Sequence, residues 1–233
     1  MRVLIIFLLS LLVISRVNSQ KIIAEYEITP NDETVIYELF YEHGQSVFYD
    51  KVQKQKGDDI FYKDFSKQAI TFKSILFNNT FNVIDSLNIF NWVMSNDTMT
   101  ILGKKCFSAK CDFRGRKYIA YFCPEIQIND GPWKLNGLPG LILYAKTEDG
   151  FIEWKCVKLT TNSTDSFTHS IAYSQNNIHN WVSYVSEYKK TIEKFIKHAK
   201  SSGNLIEGTS AKIKIESIEL FYPELQTGEG IKF

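Results

Sequence analysis

The chain has 233 residues, of which 44% are apolar and 14% aromatic, which is enough for one large domain and too little for two. Its 27 Lys and Arg almost balance its 26 Asp and Glu, so the formal charge is +1. This balance excludes the basic excess typical of nucleic-acid binding, and the apolar content excludes a disordered chain. We therefore expect one folded domain with no nucleic-acid partner.

The first 19 residues have the three-part layout of a secretory signal. Met1-Arg2 carries a positive charge, residues 3–14 form an apolar run, and Val17 and Ser19 suit the positions that a signal peptidase reads. The run is too short to cross a bilayer with ease, and no later stretch approaches 18 apolar residues. We predict cleavage after Ser19, a single domain over 20–233 and no transmembrane segment in the mature chain. The alternative is an uncleaved membrane anchor.

After the signal, short runs rich in Ile, Val, Tyr and Phe alternate with turn residues, as in strands that pair with their neighbours. Asp149-Gly150 is a strong hairpin turn, and Arg114-Gly115-Arg116 separates two facing runs. No helical pattern separates most of these runs, so we predict a mostly β, α+β fold with a curved antiparallel sheet or open half-barrel. The predicted strands cover 21–29, 34–42, 46–52, 58–65, 68–77, 80–85, 104–113, 116–123, 141–147, 151–159 and 211–221.

One amphipathic helix is predicted over 174–201. Apolar residues from Ile178 to Ala199 recur at intervals of three and four, Ser174 can cap the start, and Gly203 can end the helix. Its lysine-rich polar side is also typical of a helix that lies on a membrane surface, although Glu187 and Glu193 dilute that charge. We expect the helix to cover one face of the sheet.

Residues 124–140 form the most unusual segment, because they combine three prolines and three glycines with large apolar side chains. Proline fixes φ and glycine permits left-handed backbone, so the segment should be a rigid, sharply turned loop. Its apolar residues either fold back as a plug or present a surface to an apolar ligand or partner. These residues are Ile126, Ile128, Trp133, Leu135 and Leu138.

Four cysteines remain in an exported chain, which favours disulfides. If 106–111 is a continuous strand, its ends lie roughly 16 Å apart, and a disulfide tolerates about 7 Å between Cα atoms. Two pairings then remain: Cys106–Cys123 with Cys111–Cys156, or the crossed alternative. Four free thiols are the third possibility, and no C-x-x-C motif indicates a thiol oxidoreductase.

The sequence shows no catalytic motif. No G-x-S-x-G, P-loop or G-x-G-x-x-G occurs, and acidic residues such as Asp149 sit in turn contexts. The four histidines are scattered without metal-ligand spacing, at positions 43, 169, 179 and 198. We therefore expect no enzyme, no metal and no cofactor.

Gly131-Pro132-Trp133 is followed in the loop by Gly137-Leu138-Pro139-Gly140, and Leu141-Ile142 continue the string. This pattern resembles the motif of the GLPGLI family of exported Gram-negative envelope proteins. Gly115-Arg116 with Tyr118 and Ala120-Tyr121 resembles a further family strand, and Lys105-Cys106 with Ala109 resembles its upstream motif. The likeness is strongest over 90–150, and it departs at Phe122 and Cys123, while Cys111 looks additional. A second disulfide particular to this chain would explain both departures, which favours Cys111–Cys123. The motif residues are Gly131, Pro132, Trp133, Gly137, Leu138, Pro139, Gly140, Leu141 and Ile142.

The family has no established reaction or cofactor, so the resemblance implies compartment and build rather than chemistry. It implies a periplasmic protein similar to the open half-barrel of the lipoprotein carrier LolA, with an apolar cavity closed by helix and loops. Our first hypothesis is binding of a lipid or other apolar molecule there; the alternatives are an envelope protein that contacts an outer-membrane partner, and an unrecognised hydrolase. The ligand-binding candidates are Trp133, Leu135, Leu138 and Trp181, with Arg114 and Arg116 for an anionic head group.

Overall fold

The protein is mostly β with one long helix, as the sequence predicts. A computed structural model describes residues 21–29, 34–53, 60–165, 178–201 and 218–220. The predicted signal peptide, Ser174, His169, Gly203 and most of the strand predicted at 211–221 lie outside these residues. The elements are β1 (Ile22–Ile28), β2 (Val35–Glu42), β3 (Gln45–Asp50), β4 (Phe61–Asp64), β5 (Ala69–Leu76), β6 (Asn79–Ser86), β7 (Val93–Ile101), β8 (Lys104–Phe113), β9 (Arg116–Cys123), β10 (Leu141–Thr147), β11 (Glu153–Thr161), β12 (Ile178–Asn180) and α1 (Trp181–Ser201).

The twelve described strands form one open, curved sheet. Their order is β12-β6-β5-β4-β3-β2-β1-β11-β10-β9-β8-β7, so β12 and β7 are its two ends. Neighbouring strands are antiparallel throughout, except that β12 runs parallel to β6. The prediction of a curved antiparallel sheet that does not close is therefore confirmed, and the short parallel pair is an addition to it.

Two-residue turns explain why consecutive strands pair so regularly. Leu102-Gly103 and Arg114-Gly115 have φ values of 50°, 74°, 45° and 85°. Positive φ at both positions defines the tight turn whose twist matches that of the flanking strands. The strands on either side of Arg114-Gly115 begin and end at the residues that the sequence predicts.

The structure corrects three sequence predictions of local structure. Helix α1 begins at Trp181 rather than earlier, because residues 178–180 form β12 and the side chain of Asn180 caps the helix by accepting from the Ser183 N–H. Strand β7 has no predicted counterpart, since its sequence lacks apolar alternation. Of residues 218–220, which fall in the predicted last strand, 218 and 219 form a bend and 220 is irregular.

Loop 124–140 and helix α1 pack against the same face of the sheet, here called the inner face. The main core joins loop residues such as Leu135 and Leu138 to inner-face residues of β1, β8, β9, β10 and β11. A second core joins Tyr184, Tyr188 and Ile192 of α1 to the inner face of β5 and β6. Loop and helix together therefore cover the inner face from one side of the sheet to the other.

Gly140 is required by both its backbone angle and its surroundings. Its φ is +150°, and a Cβ atom there would lie 2.3 Å from the carbonyl oxygen of Cys123. Gly150 also has a positive φ, of +72°, but a Cβ there would meet nothing within 4 Å. A side chain at Gly150 would therefore cost backbone strain alone, whereas one at Gly140 would cost both backbone strain and steric overlap.

We predict that Gly140→Ala lowers the free energy of unfolding by more than about 3 kcal/mol, while Gly150→Ala costs about 1–2 kcal/mol. Urea titration of the two variants checks this difference. Equal losses would mean that the loop moves away from Cys123 at little cost.

Candidate functional site

The apolar side chains of the motif loop point into the core. Ile126, Ile128, Trp133, Leu135 and Leu138 are all buried, with exposures of 3% or less. Of the two interpretations of this loop, the structure therefore fits the plug that folds back on the sheet. The predicted ligand contacts Trp133, Leu135 and Leu138 do not line an open cavity in the described structure, because the loop itself fills that space.

Trp133 is the central side chain of the plug. Its ring stacks between those of Tyr118 and Trp154, with ring centroids 6.2 Å and 5.8 Å away and planes within 17° and 15° of parallel. Its φ is +52°, a left-handed value that is costly for a bulky residue. The packing on both ring faces must therefore compensate for a strained backbone.

A buried ion pair fixes the loop to β4. The ammonium of Lys63 lies 2.5 Å from Asp130 Oδ1 and also donates to the carbonyl oxygens of Gly131 and Leu135. Both charged side chains are fully buried. Burial lowers the pKa of Lys63 from its ordinary value, and the carboxylate of Asp130 opposes that effect. Removal of either partner would leave a charge without compensation in the core.

A second ionic cluster joins the loop, β6, the β8–β9 turn and the segment 218–220. Arg114 donates two hydrogen bonds to Asp85, at 2.6 and 2.9 Å, and one to Glu219 at 2.5 Å. Lys134 of the loop donates to Glu219 at 2.8 Å, and burial lowers its pKa. The ring of Trp181 lies against both cations, with its centroid 3.2 Å from the Arg114 guanidinium carbon and 4.7 Å from the Lys134 nitrogen. Two cations and two carboxylates thus balance each other.

Arg116 is held separately. It donates to the carboxylate of Asp149 and to the Ile218 carbonyl oxygen, and its guanidinium lies 3.9 Å from the ring centroid of Phe151. Among the predicted ligand contacts, the structure therefore brings Arg114 and Trp181 together but not Arg116. Both arginines bind carboxylates of the chain itself, and neither resembles a solvated turn residue.

The sequence reading missed the residues that oppose these cations and the two buried lysines. Two sequence patterns could have identified most of them. Asp130 and Lys134 are charged residues within an apolar loop. Lys63 and Asp85 lie among apolar neighbours on the buried face of a strand. Lys63 shares its strand face with Phe61, a residue packed against the main core. The missed residues are Lys63, Asp85, Asp130, Lys134 and Glu219.

An open pocket of about 590 Å³ lies on the opposite, outer face of the sheet. Its floor is a row of directly paired residues across five strands, β2 to β6: Phe40, Val47, Tyr62, Thr71 and Ile84. Polar residues form its rim, including Glu42, Gln45 and Asp64. The hydroxyl of Ser66 and backbone N–H groups bind Asp64 and lower its pKa to about 2, so this carboxylate is charged at neutral pH.

The two ends of the sheet differ in accessibility. β12 has three residues and runs directly into α1, whereas β7 has nine residues and, within the described residues, pairs only with β8. Seven of the nine residues of β7 are exposed, among them Val93 at 69% and Met94 at 54%. A long exposed edge with apolar side chains offers unpaired backbone groups to another strand.

All four cysteines are buried free thiols in the structure. Cys106 and Cys111 lie on one continuous strand, β8, so they are too far apart for a disulfide between them, as the sequence analysis expected for a continuous strand. Burial raises the pKa of Cys106, Cys111 and Cys156 to about 12 each, so these thiols are protonated at neutral pH.

The described ranges contain neither a metal-binding cluster nor a membrane-spanning helix. No group of three or more His, Cys, Asp or Glu side chains there is arranged to hold a metal ion. No helix in the same ranges has the length and hydrophobicity needed to cross a membrane.

The fold resembles that of part of a larger solved protein. Two structures of PNGF-II, in space groups C2 and P21, match with TM-scores of 0.56 and 0.57 and 14% identity. The match covers 74% of this chain and 33% or 34% of the PNGF-II chain, so this chain corresponds to about a third of that protein's length. At this identity the likeness concerns the fold alone.

A weaker likeness links the chain to MucB. The complex of MucB with MucA(peri) and the Pseudomonas aeruginosa MucA/MucB complex match with a TM-score of 0.36 and 8% identity. The match covers 63% of this chain and 52% or 53% of the other, and a similarity this low carries no argument about function. No protein-family model and no curated protein sequence matches this chain, so the GLPGLI resemblance stays a prediction.

We predict that Trp133→Ala lowers the free energy of unfolding by about 3–5 kcal/mol, because it removes the ring that fills the space between Tyr118 and Trp154. Trp133→Phe, which keeps a buried ring, should cost about half as much or less. Thermal or urea unfolding of both variants measures this. A Trp133→Ala protein with an unchanged transition would mean that the loop is not part of the core.

Proposed function

We propose that this chain is a non-catalytic protein of the bacterial envelope that binds a protein partner along the open edge of its sheet. The single observation that carries the proposal is β7, a nine-residue end strand with an exposed edge and exposed apolar side chains. The filled inner face supports the same choice, because loop 124–140 and α1 occupy the space where an internal ligand would sit.

Edge strands of folded proteins are normally short, covered or interrupted by charges, since an exposed edge pairs with other chains. In β7 the register shifts between Met94 and Thr98, which limits pairing at its centre. Residues 98–101 follow that irregularity as a regular ladder with β8. This regular half is long enough for an extended segment of a partner to add as the next strand.

The register identifies the backbone groups that such a partner would use. Ile101 and Lys104 flank a two-residue turn and therefore exchange hydrogen bonds with each other. Alternation along an antiparallel ladder makes Thr100 and Thr98 non-hydrogen-bonded to β8, so their N–H and C=O groups point to the open edge. Met99, between them, exposes 37% of its surface and would contact a partner's apolar side chain.

We predict that Thr100→Pro abolishes partner binding, because it removes an N–H on the open edge while it leaves the β7–β8 hydrogen bonds in place. Thr100→Val is the matched control, since it changes the same side chain and keeps the N–H. A photo-crosslinking residue at Met94, introduced in the native host, should yield a specific adduct that Thr100→Pro eliminates. The purified partner should then bind the wild type and Thr100→Val alike.

A crosslinker at Val182, which is 78% exposed on α1, serves as the control site on the helix rather than on the sheet edge. Equal adducts from Met94 and Val182, or an adduct that survives Thr100→Pro, would contradict the proposal. An adduct of twice the chain's mass would identify a second copy as the occupant and replace the partner with self-association.

The outer-face pocket supports a second candidate, the binding of a small amphipathic or lipid-like molecule. Its volume of about 590 Å³ is within the range of ligand sites, and its apolar floor has a polar rim. This site replaces the inner cavity of our first hypothesis, because the residues predicted to line that cavity form the core.

Native mass spectrometry of protein purified from its own host tests this candidate. A bound ligand would add a mass of about 300–1,500 Da that is lost on denaturation. Thr71→Trp, which fills the floor of the pocket, should eliminate it, whereas Ile75→Trp, on the same face of β5 outside the pocket, should not. A bare chain, or retention in Thr71→Trp, would contradict binding in this pocket.

A further inference from the structure

The register of β8 and β9 places two of the four cysteines directly opposite each other. Phe107 pairs with Phe122, and one further step along the same ladder brings Cys106 opposite Cys123. Both lie within their strands, and both are fully buried. Besides burial, the nearby Cys123 raises the pKa of the Cys106 thiol, so the two side chains interact although they are far apart in sequence.

Whether a disulfide fits between two opposed residues also depends on whether they form a hydrogen-bonded or a non-hydrogen-bonded pair. Phe113 and Arg116 flank the two-residue turn and are hydrogen-bonded, so alternation along the ladder makes Cys106 and Cys123 a non-hydrogen-bonded pair. Opposed Cα atoms in such a pair are about 4.5 Å apart, which is within the range that a disulfide spans. The bond can therefore form without a shift of either strand.

Neither remaining cysteine has such a partner. Cys111 lies five residues from Cys106 on β8 and pairs with Tyr118, so its Cα is roughly 16 Å along the strand from this pair. Cys156 lies on β11 opposite Tyr26, and β10 separates it from β9, a spacing of about 10 Å within the sheet. The pairing Cys111–Cys123 that the family resemblance favours is thus contradicted by the register.

We propose that Cys106 and Cys123 form the one disulfide of the exported protein, while Cys111 and Cys156 stay as buried thiols. This inference is independent of the proposed partner binding. In the reaction, a dithiol oxidase of the export compartment supplies an exposed disulfide. One cysteine forms a mixed disulfide with it, the second displaces the oxidase, and the oxidase leaves as the dithiol with both protons and both electrons. Since the folded thiols are buried, this exchange precedes completion of the fold.

The bridge would fasten β8, the strand that pairs with the edge strand β7. Cys106 pairs with Met99 of β7 on one side and faces Cys123 on the other, so the bond would join β8 to β9 at the level where β8 pairs with β7. It would also close a loop of 18 residues that contains the whole β8–β9 hairpin. Closure of a loop of this size restricts the unfolded chain and stabilises the folded one.

Trypsin tests the pairing without any substitution, because it leaves each cysteine in a different peptide: 106–110, 111–114, 118–134 and 156–158. The protein is exported in its native host, alkylated under denaturing conditions without reductant, and digested. The expected result is a linked pair of 106–110 and 118–134 that separates on reduction, with 111–114 and 156–158 fully alkylated. Four alkylated peptides, or a link to 111–114 or 156–158, would overturn the proposal.

Thermal unfolding gives an independent measurement. Reductant should lower the transition of the wild type by about 5–10 °C. Cys111→Ala is the matched control and should keep this sensitivity, whereas Cys123→Ala should lose it. If the wild type is insensitive to reductant, or if Cys123→Ala responds as the wild type does, the disulfide does not stabilise the fold and the proposal fails.

Discussion

The burial of loop 124–140 on the inner face depends on the ion pair between Lys63 and Asp130. Each charge is excluded from water, so each is tolerated only because the other lies 2.5 Å away and because backbone carbonyl oxygens accept further hydrogen bonds from the ammonium. The pair links β4 to the middle of the loop, at the residue directly before Gly131. Trp133, Leu135 and Leu138 can therefore enter the core in only one arrangement. The second ionic cluster, around Asp85, holds the loop in that same arrangement through Lys134.

This constraint changes where recognition can occur. A curved sheet with an empty inner face would suit an apolar cargo, but here the chain supplies its own plug and its own helical cover. The accessible features are on the other surfaces, namely the edge of β7 and the pocket over the outer row of β2 to β6. Backbone hydrogen bonds at an edge favour an extended polypeptide, whereas a pocket with a polar rim favours a compact molecule.

Much of the sheet could be predicted because its signals are local. The turn at Arg114-Gly115 and the apolar alternation of 116–123 are properties of adjacent residues, so the bounds of β8 and β9 agree with the structure. Strand β7 could not be predicted in this way, because its exposed residues have no inward face to produce alternation. The predicted start of α1 was wrong because residues 178–180 form β12. This strand pairs with β6, about 95 residues earlier, and that distant contact overrides the helical periodicity of 178–180.

The sequence by itself determined the class of fold, the antiparallel hairpins, the long amphipathic helix and the presence of a rigid apolar loop. Each of these follows from residue type and spacing within one element. Only the tertiary structure decided that the loop is a plug, that both arginines bind carboxylates of the chain, and that Cys106 faces Cys123. These outcomes depend on which strands become neighbours and in which register, and that choice is made by packing and charge pairing between residues far apart in the chain.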